Sequence, residues 1–148
     1  MLDQTNLSVM LKNKNLLKNK AYINGAWVNA KSGKTFEVVN PSNGNLIVTV
    51  PDLDVHDVRI AIDAAHEAFS NWSKKTAKER SIILNKFCKL MLENADDLAA
   101  ILTAEMGKPL AEAKGEITYG ASFIEWFAEE GKRIYGETIP GHQEDKRI

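Results

Sequence analysis

The side chains that could do chemistry in this sequence are few and scattered: Cys88, the three histidines His56, His66 and His142, Lys108 after Gly107, and the carboxylates Glu125, Glu129 and Glu130. Cys88 could in principle be a nucleophile. It falls within a helical pattern beside Phe87, with no histidine nearby in sequence and no helix start to lower its pKa. A quiet, partly buried thiol is the better reading. His56 and His66 stand ten residues apart, so they do not stack on one helix face, and there is no second cysteine to complete a zinc site. All three histidines read as surface or satisfied side chains.

Gly107-Lys108 lacks the glycine-rich lead-in of a phosphate-binding loop, and Pro109 stands where that loop needs serine or threonine. A helix stop at Gly107, followed by a new helix with Pro109 in its first turn, is the simpler account. No G-x-G-x-x-G occurs anywhere. Glu125 with Glu129 or Glu130 could be imagined as an acid/base pair, but Glu129 followed by Lys132 and Arg133 reads more simply as solvated ion pairing along a helix. No residue earns a catalytic, cofactor-binding or metal-ligating role on these grounds.

The segment from Leu110 onward has the strongest helical pattern of the chain. Ile117, Ala121, Ile124, Ala128 and Ile134 mark one helical stripe, and Tyr119, Phe123, Trp126 and Phe127 mark a second beside it. Gly115, Gly120, Ala121, Ala128 and Gly131 would let neighbouring backbone approach closely. A helix apolar on two adjoining faces buries one in its own body and gives the other to a pocket or to a further part of a larger body. An aromatic stripe is more often core than pocket.

The elements that must position this helix read in order. Residues 1–20 form a lysine- and asparagine-rich arm with a few leucines, a short helix or a lead-in. Asn24-Gly25 between short β-prone pairs predicts a hairpin, and Pro41-Ser42-Asn43-Gly44 predicts the turn of a second one. Asp54 with Asp57, and Thr76 with Glu79, predict helix starts of the capping-box kind. The first of these helices carries Val58, Ile62, Ala65 and Phe69 along one edge, and the second places Ile83, Leu84, Phe87, Leu90 and Met91 inward. Asn94 to Asp97 predicts a break and restart, with two carboxylates where the helix dipole favours them. Strands come first and helices after, so the fold class of these residues is α+β: two hairpins followed by about four helices.

Bulk properties exclude several function classes. At 148 residues the chain suits one domain with a respectable core, and a composition of 44% hydrophobic and 26% charged residues is ordinary for a globular protein. A net charge of −1 gives no electrostatic reason to expect nucleic acid or an anionic membrane as partner. The lone cysteine fits a reducing compartment, and no apolar run approaches a membrane-spanning length. Cytoplasm is the expected location. The chain stops soon after Ile139-Pro140-Gly141 with nothing that closes a fold, and the strands are too few to shelter four helices. The expectation is a piece of a larger body, marginally stable alone and with exposed apolar surface.

Several motifs resemble one family in order. Val39-Asn40-Pro41-Ser42-Asn43-Gly44, Ala61-Ile62-Asp63-Ala64-Ala65, Trp72, Ala77-Lys78-Glu79-Arg80 and Glu105-Met106-Gly107-Lys108-Pro109 are similar to the start of aldehyde dehydrogenases. The stretch from Leu110 to Ile117, then Ser122 to Gly136 and Thr138-Ile139-Pro140-Gly141-His142, resembles the bacterial succinate-semialdehyde dehydrogenases, with the glutarate-semialdehyde enzymes a close second. The resemblance runs from about Tyr22 to the end and leaves out the arm.

The resemblance implies an α/β parent fold. In it, residues 21–136 open the dinucleotide-binding domain and residues 137–148 begin the oligomerisation strand region, with Glu144–Ile148 the start of a strand. It implies a substrate tunnel bordered by Tyr119 and Phe123, with Trp126 beside them. It also implies a homo-oligomer that uses NAD or NADP to oxidise a small semialdehyde. The family's cysteine nucleophile, general-base glutamate, oxyanion-hole asparagine and cofactor loops match motifs expected after Ile148, so these residues alone are expected to be inactive and to bind no cofactor. A second reading, of another class, is a non-catalytic helical module that docks on a full-length relative.

Overall fold

A computed structural model describes residues 4–146, the first three of these as backbone only. Its elements are α1 (Gln4–Met10), β1 (Ala21–Ile23), β2 (Ala26–Val28), β3 (Thr35–Val39), β4 (Leu46–Pro51), α2 (Val55–Trp72), α3 (Ala77–Glu93), α4 (Ala95–Met106) and α5 (Leu110–Glu130). The expected α+β order is present. The fifth helix comes from the arm, whose leucines are enough to form one short helix and a single 3-10 turn at Lys14–Leu16.

The strands make two separate antiparallel pairs, β1 with β2 and β3 with β4. Asn24 and Gly25 both take positive φ, 49° and 79°, which matches the twist of a two-residue hairpin. The second turn closes on Asn40, whose backbone carbonyl accepts from the amides of Asn43 and Gly44 and whose side chain accepts from Ser42 N at 2.8 Å.

Both expected capping boxes form. Asp54 accepts from the amides of His56 and Asp57 while the Asp57 carboxylate accepts from Asp54 N. Thr76 accepts from Glu79 N while Glu79 accepts from Thr76 N at 2.7 Å, and that bond holds the Glu79 carboxyl below its ordinary value. Asp57 is buried, and its other oxygen accepts from Lys31 N at 3.2 Å, so the cap of α2 is also its tether to the loop after β2. Asn94 separates α3 from α4, and Gly107 ends α4 at φ 80°, a left-handed stop that favours glycine. Pro109 stands one residue before α5 rather than within its first turn, and its carbonyl accepts from Ala113 N at 2.9 Å.

The core differs from the apolar pattern of the sequence. Its buried cluster joins Leu7 and Leu11 from the arm, Ile47 and Val48 from β4, and Ala100 and Ala104 from α4. On α3 the buried residues are Ser81 and Cys88, whereas Ile83, Phe87 and Leu90 are exposed and Leu84 and Met91 half-buried. The reason is close helix packing: α5 meets α3 and α4 through alanines, and small side chains on α3 fit that approach better than large ones. Ile134 is exposed because α5 ends at Glu130, after which helical phase no longer governs direction. Past α5, residues 142–145 bend and turn, with Lys146 N donating to Gln143 O at 3.2 Å; Arg147 and Ile148 lie outside the described residues.

Candidate functional site

The site of interest is the outer face of α5. Its inner face is built from small residues. Ala113, Ala121 and Ala128 are buried, Ile117 and Ile124 are half-buried, and a methyl group added at Gly120 would sit 3.8 Å from Met91 Cε. That side holds the helix against α3 and α4 and so fixes the direction in which the opposite side points. The opposite side is aromatic and uncovered: Tyr119 is 65% exposed, Phe123 47% and Trp126 62%. Tyr119 and Phe123 meet edge to face, with ring centroids 4.8 Å apart at 82°.

Phe123 and Trp126, with Ser122, Glu125, Glu129, Glu130 and Arg133, line an open concavity of about 550 Å³. Of the three residues expected on a substrate wall, two therefore share one hollow. Tyr119 borders it through Phe123. Of the charged side chains in this hollow, Glu129, Glu130 and Arg133 are already engaged. Glu129 takes hydrogen bonds from Lys132 and from Asn85 on α3, which hold its carboxyl below the ordinary value, and Glu130 pairs with Arg133 at 3.5 Å. The ion-pairing reading of Glu129 and Glu130 thus stands, while Glu125 on the same rim makes no ion pair among the described residues. The hollow offers an apolar surface with a largely paired polar rim, which can hold and shape a small carbon chain.

The remaining candidates lie outside this hollow. Cys88 is buried and free, beside Asn85, Lys89, Leu92, Glu93 and Glu125. His56 meets Lys31 Nζ at 3.0 Å, and His66 and His142 are exposed. Among the described residues no group of three or more His, Cys, Asp or Glu side chains is placed to hold a metal. Gly107 is a helix stop, and Lys108 pairs with Glu116. No helix of the described residues is long and apolar enough to cross a membrane.

Two features escaped sequence reasoning. Asp97, expected only to favour a helix dipole, is buried and accepts from the amides of Lys12 and Asn13. Its position in a first helical turn was visible, but a partner 85 residues away was not. At Glu105, an exposed residue near the end of α4, desolvation by its surroundings pushes the carboxyl up.

Comparison with known proteins gives these features a context. The family model described as "Aldehyde dehydrogenase family" matches residues 27–148. A glutarate-semialdehyde dehydrogenase of Pseudomonas putida is 57% identical over 140 residues, covering 95% of this chain and 29% of that protein. A succinate-semialdehyde dehydrogenase [NADP(+)] of Escherichia coli is 56% identical over 138 residues, covering 93% of this chain and 29% of that protein. A crystal structure of an aldehyde dehydrogenase from Brucella melitensis biovar abortus 2308 superposes with a TM-score of 0.91 at 54% identity, over 93% of this chain and 29% of the other. The chain thus spans less than a third of the length of these relatives. With the family match covering most of its residues, the chain belongs to the aldehyde dehydrogenase family.

Proposed function

We propose that these residues form the N-terminal part of an NAD(P)-dependent semialdehyde dehydrogenase that oxidises succinate semialdehyde to succinate, in 4-aminobutyrate degradation. Glutarate semialdehyde is the nearest alternative substrate. One observation carries the reading: a chain more than half identical to semialdehyde dehydrogenases presents, on its longest helix, an aromatic face that its own residues leave bare. Residues 21–136 open the dinucleotide-binding domain, residues 137–148 lead into the oligomerisation strand region, and the complete enzyme is a cytoplasmic homo-oligomer.

In this reading Tyr119, Phe123 and Trp126 line the substrate tunnel. Apolar walls of this kind pack the methylene chain of a short semialdehyde and keep water from the reacting carbon. The wall does not supply the counter-ion for the substrate carboxylate, since Arg133 is already paired with Glu130. Nucleophile, general base and carboxylate recognition come from the remainder of the enzyme. So does the grip on NAD or NADP, which accepts the hydride. The residues here do not fit that cofactor: they contain no G-x-G-x-x-G, and the described strands form only two antiparallel pairs.

The test is a chimera in which residues 1–148 replace the matching segment of the Escherichia coli succinate-semialdehyde dehydrogenase. The chimera is expected to reduce NADP in the presence of succinate semialdehyde, and the separate chain is expected to give no turnover. Phe123→Ala in the chimera should raise KM roughly tenfold through lost apolar contact. Turnover by the chain alone, or an unchanged KM in alanine variants of Tyr119, Phe123 and Trp126 alike, overturns the reading. A folded but inactive chimera, with stable binding of the separate chain to the intact relative, favours the docking-module alternative.

A further inference from the structure

The arm lies before the family match, which begins at residue 27, yet it supplies two buried side chains of the core. Leu7 on α1 and Leu11 just after it lie against Ile47, Val48, Ala100 and Ala104. Immediately beyond Leu11 the chain is fastened at one point. The buried Asp97 carboxylate accepts from Lys12 N at 3.0 Å with one oxygen and from Asn13 N at 2.7 Å with the other. Next to it, Asp96 takes Lys12 Nζ from the arm at 3.2 Å and Lys114 Nζ from α5 at 2.6 Å. Past this point Leu16 and Leu17 are half-buried, Lys14, Asn15 and residues 18–20 are exposed, and the chain enters β1.

We propose that residues 7–17 are a hinged clasp, which opens from the core as a unit while β3–β4 and α3–α5 stay folded, and that the Asp97 carboxylate is its fastener. Three observations support a separable unit. The arm joins no strand pair. Its helix has seven residues, too few to persist without an anchor. Two of its backbone amides share the one Asp97 carboxylate at the first turn of α4, so the loss of that carboxylate releases both together. Local opening of such a unit needs far less than global unfolding. A hydrogen bond to an ionised acceptor is about twice as strong as a neutral one, and a neutral amide at this position would offer one oxygen to two donors. Opening uncovers Ile47 and Val48 and frees one of the two lysines on Asp96.

Amide hydrogen exchange on the 148-residue chain tests this. In Asp97→Asn the amides of Lys12, Asn13 and α1 are expected to exchange about ten- to a hundredfold faster. Those of the β3–β4 ladder and of α5 should stay within about twofold. Asp96→Asn leaves the buried acceptor in place and should speed the same arm amides by only about two- to threefold. Equal acceleration throughout the molecule in either variant makes the arm an integral part of the fold and overturns the clasp. An unchanged arm in Asp97→Asn, or failure of that variant to fold, overturns it as well.

Discussion

The arm and α2 are opposites. α2 has 18 residues, a complete capping box and a clean apolar edge, while α1 has seven residues and sits in a lysine-rich segment. Judged by pattern, α2 should be core and the arm periphery. The structure reverses this. Leu7 is 0% exposed and Leu11 3%, whereas Ile62 is 61% exposed and Phe69 63%, and α2 meets the body mainly at β1. An amphipathic pattern states that a face must be covered, not that the same residues cover it. The outer face of α5 teaches the same lesson. The faces with the strongest apolar signal are the ones left bare.

That contrast can be broken by substitution. Leu7→Ala should destabilise the chain by about 2–4 kcal/mol, since it empties a closed site. Ile62→Ala should change stability by no more than about 0.5 kcal/mol, as at exposed positions generally. Urea denaturation followed by circular dichroism reads both. Equal costs would mean that α2 is covered in solution, and concentration dependence would then identify a second copy as the cover. A smaller effect is expected where α2 is fastened. Asp57→Ala removes acceptors from Asp54 N and Lys31 N and should cost about 1–2 kcal/mol. Loss of helical signal confined to the α2 amides would show that this tether, rather than packing, holds the helix in place.

The smallest effect concerns charge at the other end of the comparison. Hydrogen bonds from Lys114 first, and then from Lys12, hold the Asp96 carboxyl below its ordinary value. A depressed folded-state pKa contributes stability that is fully present above the unfolded value, about 3.9, and is lost as pH falls through the lower folded value. The native chain should therefore be slightly more stable than Lys114→Gln at neutral pH, and the two should converge below about pH 3. A difference that persists in acid would show that Lys114 acts by packing alone.

Local features were legible where a few neighbouring residues decide the backbone. Asn24-Gly25 could form only a tight positive-φ turn, Asp54/Asp57 and Thr76/Glu79 could satisfy helix starts on their own, and Gly107 could stop a helix without a Cβ penalty. The α5 site was legible in part. The sequence spacing separates an alanine face from an aromatic one, and it placed Tyr119, Phe123 and Trp126 together before any coordinates. It did not separate inside from outside on α3, where Phe87 and Leu90 outweigh Ser81 and Cys88 in hydrophobicity but not in fit against α5. Nor did it mark Asp97, because a carboxylate in a first helical turn looks the same whether it faces water or two amides from the far end of the chain.

What the residues determined by themselves, then, are the elements and the family: propensity, capping and turn chemistry act over a few positions, and motif order survives without coordinates. What only the tertiary structure decided is which faces are covered. Burial depends on the sum of packing against distant segments, and here Leu7, Leu11 and Asp97 are placed by contacts spanning more than half the chain. Such contacts leave no periodic trace in the letters, because one well-placed partner is enough to make them.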